Sequence, residues 1–431
     1  MKSRRYLLGL VFLTFFMISL LTNILGPMVP DIVSAFHLSL AAAGFLVFSF
    51  FIAYGVVSIP AGFMVERFGE KTAIVLAWVA AAVGSVSFAL FPRYQVAIAS
   101  LFAIGAGMTI LQVAINPLLR VTGGEENYAF NSALAQLVFG SASFLSPRVY
   151  TYLVLNLKSS VSPNQLLSLL KRLTPASLPW VSIYWVFGAA TVFMLAILAV
   201  TRFPRVQRTE EESAGSWEIY RNLARKPTVQ LYFLAMFAYV GCEQGTANWI
   251  SKFLFQYHGF DPHTTGAIAV SEFWGLMTVG CFVGMLLLKI FDSRKVLIGA
   301  SVCALGSLSV ALFGSAPLAR WAFPVIGLFA SVMWPIIVSL ALNSVAEHHG
   351  AFSGILSTAV IGGAIVPLII GRIGDHTGLR AGMAFLYLTF GFVMSIGFWA
   401  RPLISNATIS LRKSESSSSP DLAVKSSGHN L

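Results

Sequence analysis

Twelve apolar stretches divide this 431-residue chain, and that feature excludes most folds. A helix needs about 20 apolar residues to cross the hydrocarbon of a bilayer. The stretches run over 6–35, 41–65, 73–91, 95–121, 126–155 and 179–201, then 227–256, 264–289, 295–315, 319–345, 351–373 and 380–400. In lipid every backbone N–H and C=O must be satisfied within its own segment, so each stretch is expected to be an α-helix. The fold class is an all-α membrane protein with twelve transmembrane helices. The first stretch is interrupted at Gly26, Pro27 and Pro30. No small-residue cleavage pattern follows it, so it reads as a retained helix and not as a leader.

Only 10% of residues are charged, and the net charge is +11. In a soluble protein that balance suggests nucleic acid. Here the basic residues sit in short loops, as the positive-inside rule expects, so no nucleic-acid partner is assigned. With both termini cytoplasmic, 19 of the 28 Lys and Arg fall on the cytoplasmic side and 9 outside. A plasma membrane, the inner membrane of a bacterium, is the expected location. The chain divides into a six-helix half over 1–201, a charged cytoplasmic linker over 202–226, a second half over 227–401 and a disordered, serine-rich tail over 402–431. The linker's basic residues are placed near anionic lipid headgroups. The sequon Asn406-Ala407-Thr408 is expected to be unused in a cytoplasmic tail. In the outside loop 156–178, NQLLSLLKRL reads as an interfacial helix or, secondarily, a partner-binding one. Cys242, Cys281 and Cys303 lie in apolar segments and read as small buried residues, with no metal or cofactor implied.

The two halves look duplicated. Gly62 pairs with Gly284, Gly105 with Gly327, and Ala129-Phe130 with Ala351-Phe352, all at an offset of 222. Leu134/Leu356, Val138/Val360 and Gly140/Gly362 keep the same offset. Parallel six-helix repeats mark transporters whose site lies between the halves.

The stretch from Gly105 to Pro147 carries amides where lipid-facing residues would be apolar: Gln112, Asn116, Asn131 and Gln136. An amide in hydrocarbon costs several kcal/mol without a partner, so these are expected on a bundle interior or a wet path. Asn116 precedes Pro117 and reads either as a ligand-facing amide or as a partner for backbone groups at the proline kink. On the seventh segment, Gln244 and Asn248 share a face with four-residue spacing. Two acids, Glu243 and Glu272, lie inside second-half segments, each a proton carrier, a sodium ligand or a packing carboxylate. Asp31 reads as interfacial. Trp249, Trp274 and Trp334 are candidate platforms for the apolar face of a ligand, or belt and packing residues. Trp334 stands at the repeat offset from Gln112.

The loop after the second segment reads Gly62-Phe-Met-Val-Glu66-Arg67-Phe-Gly69-Glu70-Lys71. It resembles the cytoplasmic loop motif of the major facilitator superfamily, whose acid and base form a latch between helices. Leu111-Gln-Val-Ala-Ile-Asn-Pro117, Gly123-Gly124, Leu134-Ala-Gln136 and Gly140 are similar to the fucose–galactose–glucose:proton symporter family. Phe352-Ser-Gly354, Val360-Ile-Gly-Gly363, Pro367, Gly371 and Asp375 match that family's helix 11, and the resemblance spans all twelve segments. It departs where proton-coupled members carry acids: this chain has Thr22-Asn23-Ile24-Leu25 in the first segment and Gln112 in the fourth.

The resemblance implies a monomeric carrier that imports a neutral polar solute, a hexose or deoxyhexose, by alternating access, with H+ or Na+ as a candidate coupling ion. Amides suit a sugar because they donate to and accept from hydroxyls. The expected substrate residues are Asn23, Gln112, Asn116, Gln136, Gln244, Asn248, Trp249, Trp274 and Trp334. Glu243 and Glu272 are the coupling candidates, and Gly62, Glu66, Arg67, Gly69 and Lys71 the latch. Alternatives are an exporter of a small apolar compound, which calls for an aromatic cavity with few amides, and a transporter-like nutrient sensor. No motif points to an enzyme.

Overall fold

A computed structural model describes residues 2–123, 128–159, 164–201, 203, 217–345 and 347–402. Linker residues 204–216, Gly124, the sequon and the serine-rich tail lie outside them. The helices are α1 (Lys2–Thr22), α2 (Leu25–Phe36), α3 (Leu40–Phe68), α4 (Glu70–Leu90), α5 (Tyr94–Gly123), α6 (Tyr128–Lys158), α7 (Gln165–Leu173), α8 (Ser182–Val200), α9 (Trp217–Ala224), α10 (Pro227–His258), α11 (Ala267–Ile290), α12 (Ser293–Phe313), α13 (Ala316–Ala330), α14 (Met333–Leu342), α15 (His349–Thr358), α16 (Gly362–Thr377) and α17 (Leu379–Trp399).

Three spans are hinged pairs: α1–α2, α13–α14 and α15–α16. Counting each pair once, ten spans among the described residues are long and apolar enough to cross a membrane. The two other long helices, α6 and α10, complete the twelve. They are the ones that carry Asn131 with Gln136 and Glu243 with Gln244 and Asn248. Amphipathic α7 lies in the loop before α8 with Leu167 and Leu170 buried and Leu166, Leu169 and Leu173 exposed. The ends that carry Lys2, α9 and the α14–α15 turn are called the linker end below; the other is the far end.

Proline sets two of the hinges. The first span does not break at Gly26, Pro27 and Pro30, as its sequence suggests; α2 runs through all three and the break falls at Asn23–Ile24. Pro27 is the third residue of α2, where a missing N–H costs nothing, and its ring excludes a helical carbonyl four residues back, at Asn23. The Ser146 hydroxyl donates to the Leu20 carbonyl beside the break, at 2.9 Å. Pro335 occupies the same third position of α14, and the chain opens four residues earlier, at Ser331–Val332.

Each half has its own core. One apolar cluster runs from Leu10 to Leu198 with Ala364 added; the other runs from Tyr220 to Ala400 with Val29 and Ala43 added. The internal repeat is visible in the packing. A Cβ on Gly105 would sit 2.1 Å from the Phe50 carbonyl oxygen, and one on Gly327 would sit 2.3 Å from that of Phe273. In both halves glycine lets the fourth span touch the backbone of the second. A few helix starts are capped by short polar side chains. Ser39 accepts from the Ala42 N–H in α3, and Asp292 from the Arg294 N–H in α12. The Arg294 guanidinium beside Asp292 holds that carboxyl below the usual carboxylate range.

One expectation about single residues needs correction. Cys242 is buried, but Cys281 on α11 is half-exposed and Cys303 on α12 is exposed. Asp31, near the far end of α2, lies half-buried on the seam between the halves, as described below.

Candidate functional site

Positions seven, eleven, fourteen and eighteen apart return to one face of a helix. On α6 the set Gln136, Ser143, Pro147, Tyr150 and Val154 shares such a face. The last four are buried, whereas Gln136, nearest the linker end, is exposed. On α5 the same holds: Gly105 and Thr109 are buried and Asn116 is exposed. Both faces therefore lose their cover toward the linker end, the exposure expected of walls around a cavity that opens there. Gln112, half-buried on α5, donates from Nε2 to the Tyr54 hydroxyl at 3.2 Å. The Asn116 amide donates to the Gln112 carbonyl at 3.0 Å, the bond expected of a residue that satisfies backbone near a proline. Asn131 is buried, its Nδ2 2.3 Å from where a Gly123 Cβ would be.

The far end is closed. α2 of the first half packs on α10 of the second so tightly that a Cβ on Gly26 would lie 2.4 Å from the Ala247 carbonyl oxygen. Around this contact Thr22, Asn23, Gln244, Asn248, Val270 and Trp274 meet in a crevice with no room left for a water molecule. Asn23 is tied to α6 by donating to Ser143 Oγ at 2.8 Å, and Ser143 meets Ser19 Oγ at 2.6 Å. The buried Trp274 indole N–H has no hydrogen-bond partner among the described residues, and its residue lines the crevice.

Two polar straps cross the seam nearer the far end. The Asp375 carboxylate of α16 accepts from the Leu40 N–H at 2.6 Å and the Ala41 N–H at 2.9 Å. It thus caps α3 of the opposite half. Tyr150 of α6 donates to Asp31 of α2, and His263 Nδ1, from the turn before α11, lies 3.4 Å from the same carboxylate oxygen. His263 Nε2 is 2.9 Å from Lys158 Nζ. An ammonium only donates, so Nε2 accepts and the proton of a neutral ring sits on Nδ1, facing Asp31.

Glu243 lies halfway along α10 and is the one half-exposed residue between Gly241 and Ile250. Its carboxylate accepts from the Tyr239 hydroxyl at 2.7 Å and from Gln244 Nε2 at 3.0 Å. Tyr239 in turn meets Trp334 of α14 edge-on, with ring centroids 6.0 Å apart. Trp334 is 40% exposed. A carboxylate, a phenol and a half-open indole therefore stand in one connected row.

The structure separates the sequence-predicted residues into three groups. Gln112, Asn116 and Gln136 face the cavity at the linker end. Asn23, Gln244, Asn248 and Trp274 meet in the closed crevice, and Glu243 with Trp334 stands beside it. Trp249 and Glu272 fit neither. Trp249 is buried, with its N–H donating to the Pro367 carbonyl at 3.2 Å and its ring against Gly371, so it packs α10 on α16. Glu272 pairs with Arg320 of α13 at 2.6 Å. That partner balances its charge within the second half, toward the far end. Tyr54 and Tyr239 were not predicted. Tyr239 was findable, since it stands four residues before Glu243 and hence on its face; Tyr54 carries no such local signal.

In the loop motif, Gly69 takes a positive φ of 79° and joins α3 to α4 with no intervening residue. Lys71 Nζ donates to the Thr201 carbonyl at 2.7 Å, at the end of α8 in its own half. Arg67 lies over the Phe68 ring. Glu66 is near Tyr220 of α9, whose phenol is pushed up by burial and then by that carboxylate. A Cβ on Gly354 of α15 would lie 2.8 Å from the Tyr220 hydroxyl, so Tyr220 stands between the motif and the second half.

The model of the Major Facilitator Superfamily matches residues 11–367. The chain belongs to that superfamily. A glucose/galactose transporter of Brucella abortus biovar 1 (strain 9-941) is 30% identical over 410 residues, covering 92% of this chain and 94% of that one. The L-fucose-proton symporter of Escherichia coli (strain K12) is 26% identical over 398 residues, covering 88% and 89%. Within the superfamily the chain is a member of the fucose–galactose–glucose:proton symporter family that its motifs resemble. Among solved structures, a fucose:proton symporter of E. coli superposes with a TM-score of 0.66 at 22% identity, covering 93% of this chain and 99% of that one. A bacterial homologue of the human lysosomal transporter Spinster gives 0.75 at 16%, covering 92% and 97%. Both share the major facilitator fold.

Proposed function

We propose that this protein imports a hexose or deoxyhexose together with a proton, by alternating access to a site between its two six-helix halves. The observation that carries the reading is Glu243, an acid halfway through a span, hydrogen-bonded to Gln244, which itself lines the crevice shared by the two halves. The relatives named for glucose, galactose and fucose transport support the substrate class. So does the unpartnered Trp274 N–H, a buried donor that a hydroxyl would satisfy once the crevice opens. Asn23, Gln244 and Asn248 would bind from the far side, and Gln112, Asn116 and Gln136 would receive the sugar on the linker side. Trp334 is the apolar platform.

A proton suits Glu243 better than sodium. Both carboxylate oxygens already accept hydrogen bonds, and among the described residues no group of three acids, His or Cys stands together to hold an ion, whereas a hard cation needs several oxygen ligands. The bias of Lys and Arg makes the linker end cytoplasmic, so the closed far end faces outside and the structure is the inward-open state. Residues 1–201 and 227–401 are the two moving halves, and the Gly62–Lys71 loop is the cytoplasmic latch, engaging α9 through Glu66 and Tyr220. The protein acts as a monomer in the inner membrane.

The test is uptake of radiolabelled D-glucose, D-galactose and L-fucose into proteoliposomes. An imposed inward proton gradient is expected to concentrate at least one of them, and a sodium gradient to concentrate none. Glu243→Gln is expected to abolish accumulation while leaving sugar-for-sugar exchange. Accumulation by the variant would remove Glu243 from the mechanism; no transport of any sugar would refute the substrate class.

A further inference from the structure

The amides of α10 form a chain whose orientation is fixed by one backbone group. Asn248 Nδ2 lies 2.8 Å from the Gln244 carbonyl oxygen, which can only accept, so the nitrogen of Asn248 is correctly placed there. The same Nδ2 lies 3.1 Å from the Gln244 side chain, so the atom facing it must be that amide's oxygen. The other end of the Gln244 amide is then its NH2 group, directed at Glu243. Gln244 is 4% exposed and lines the crevice against Thr22, Asn23 and Gly26. Opposite, Gly363 of α16 holds it close, since a Cβ there would lie 3.0 Å from Gln244 Cγ.

Resting on the reading of Glu243 as the coupling acid, we propose that Gln244 is a positioning residue that links closure of the far end to proton release. While α2 lies against α10, the Gln244 NH2 group has Glu243 as its one hydrogen-bond partner among the described residues and donates to it. With Tyr239 on its other oxygen, the carboxyl then has two donors, an arrangement that suits the charged form. The proton it loses passes to water in the cavity at the linker end. When α2 leaves α10, the Gln244 amide is released to a sugar hydroxyl, Glu243 loses a donor, and the carboxylate takes a proton from the opened far side. The remaining titratable groups around it are Tyr239 and Cys242 on α10 and Cys281 on α11; among the described residues no Lys, Arg or His acts on it. Sugar and proton are thereby loaded in the same state by one side chain turning from one to the other.

The test needs no sugar. The carbonyl stretch of the protonated carboxyl is titrated by infrared difference spectroscopy on the full-length protein, with Glu243→Gln identifying the band. Gln244→Met is expected to raise the midpoint by about one pH unit, a tenfold gain in proton affinity, as loss of one hydrogen bond to a charged group implies. Gly26→Ala, which pushes α2 off α10, is expected to raise it as well, and Gln244→Met should then add nothing. Asn248→Ala, which frees the Gln244 amide to turn over, is the second variant and should act in the same direction. An unchanged midpoint in both Gln244→Met and Asn248→Ala overturns the proposal, as does a Gln244→Met shift that persists in full on the Gly26→Ala background. Absence of any band sensitive to Glu243→Gln overturns it too. Because the readout is the carboxyl itself, failure here is separate from failure of the uptake assay to find a transported sugar.

Discussion

Gly26→Ala tests the closed contact on which the account depends. The added Cβ would stand 2.4 Å from the Ala247 oxygen, 1.0 Å short of ordinary contact at 3.4 Å. The obstacle is backbone, which cannot rotate away, so α2 and α10 must part by about 1 Å at the closest point. Overpacking of this kind costs about 1–3 kcal/mol. The cost falls only on the state in which the two helices touch, so the ratio of closed to open far ends should drop by about 5- to 150-fold. Spin labels at Ser34→Cys on α2 and Thr264→Cys before α11, both exposed at the far end, report the distance between the halves. In a background without native cysteines the short distance should dominate, and Gly26→Ala should move most of the population to a longer one. An unchanged distribution would refute the argument that this packing holds the far end shut.

Asp375→Ala removes a helix cap that bridges the halves, worth about 0.5–2 kcal/mol, and should shift the same distances in the same direction by a smaller fraction. Glu272→Gln should leave accumulation intact while lowering thermal stability by about 2–4 kcal/mol, because Arg320 loses its partner; loss of accumulation with stability unchanged would restore Glu272 to the coupling path. Trp274→Phe should weaken sugar binding by about fivefold to tenfold in a direct binding titration, since one hydroxyl loses its donor. An unaltered affinity would place the substrate away from the crevice.

Much of this architecture was legible in the sequence because lipid leaves the backbone few choices. The spans, the repeat at an offset of 222 and the polar hairpin all follow from that constraint. Gln112, Asn116 and Gln136 were recognisable because amides in apolar runs demand an explanation, and α5 and α6 turn each of them to the cavity. The hinges were not legible: the first is expected at Gly26, Pro27 and Pro30 and falls at Asn23–Ile24, and the one at Ser331–Val332 is not expected. Pro60, Pro117 and Pro147 sit inside unbroken helices, so proline alone does not mark a break. What sequence could not supply was partnership across the seam. Nothing local distinguishes Trp249, locked on Pro367, from Trp334, which is open, or shows that Glu272 will meet Arg320. Asp31 reads as interfacial and Asp375 only as part of the helix 11 motif. They become seam-crossing straps only when two halves far apart in sequence meet, at His263 and at the start of α3.

The central claim is that sugar and proton move together through Glu243. Proteoliposomes loaded with a trapped pH-sensitive dye and held at zero membrane potential measure this directly. Addition of the transported sugar should acidify the lumen in step with its uptake in the wild type, with no acidification in Glu243→Gln. Sugar entry without acidification in the wild type, or acidification that survives Glu243→Gln, would contradict the account.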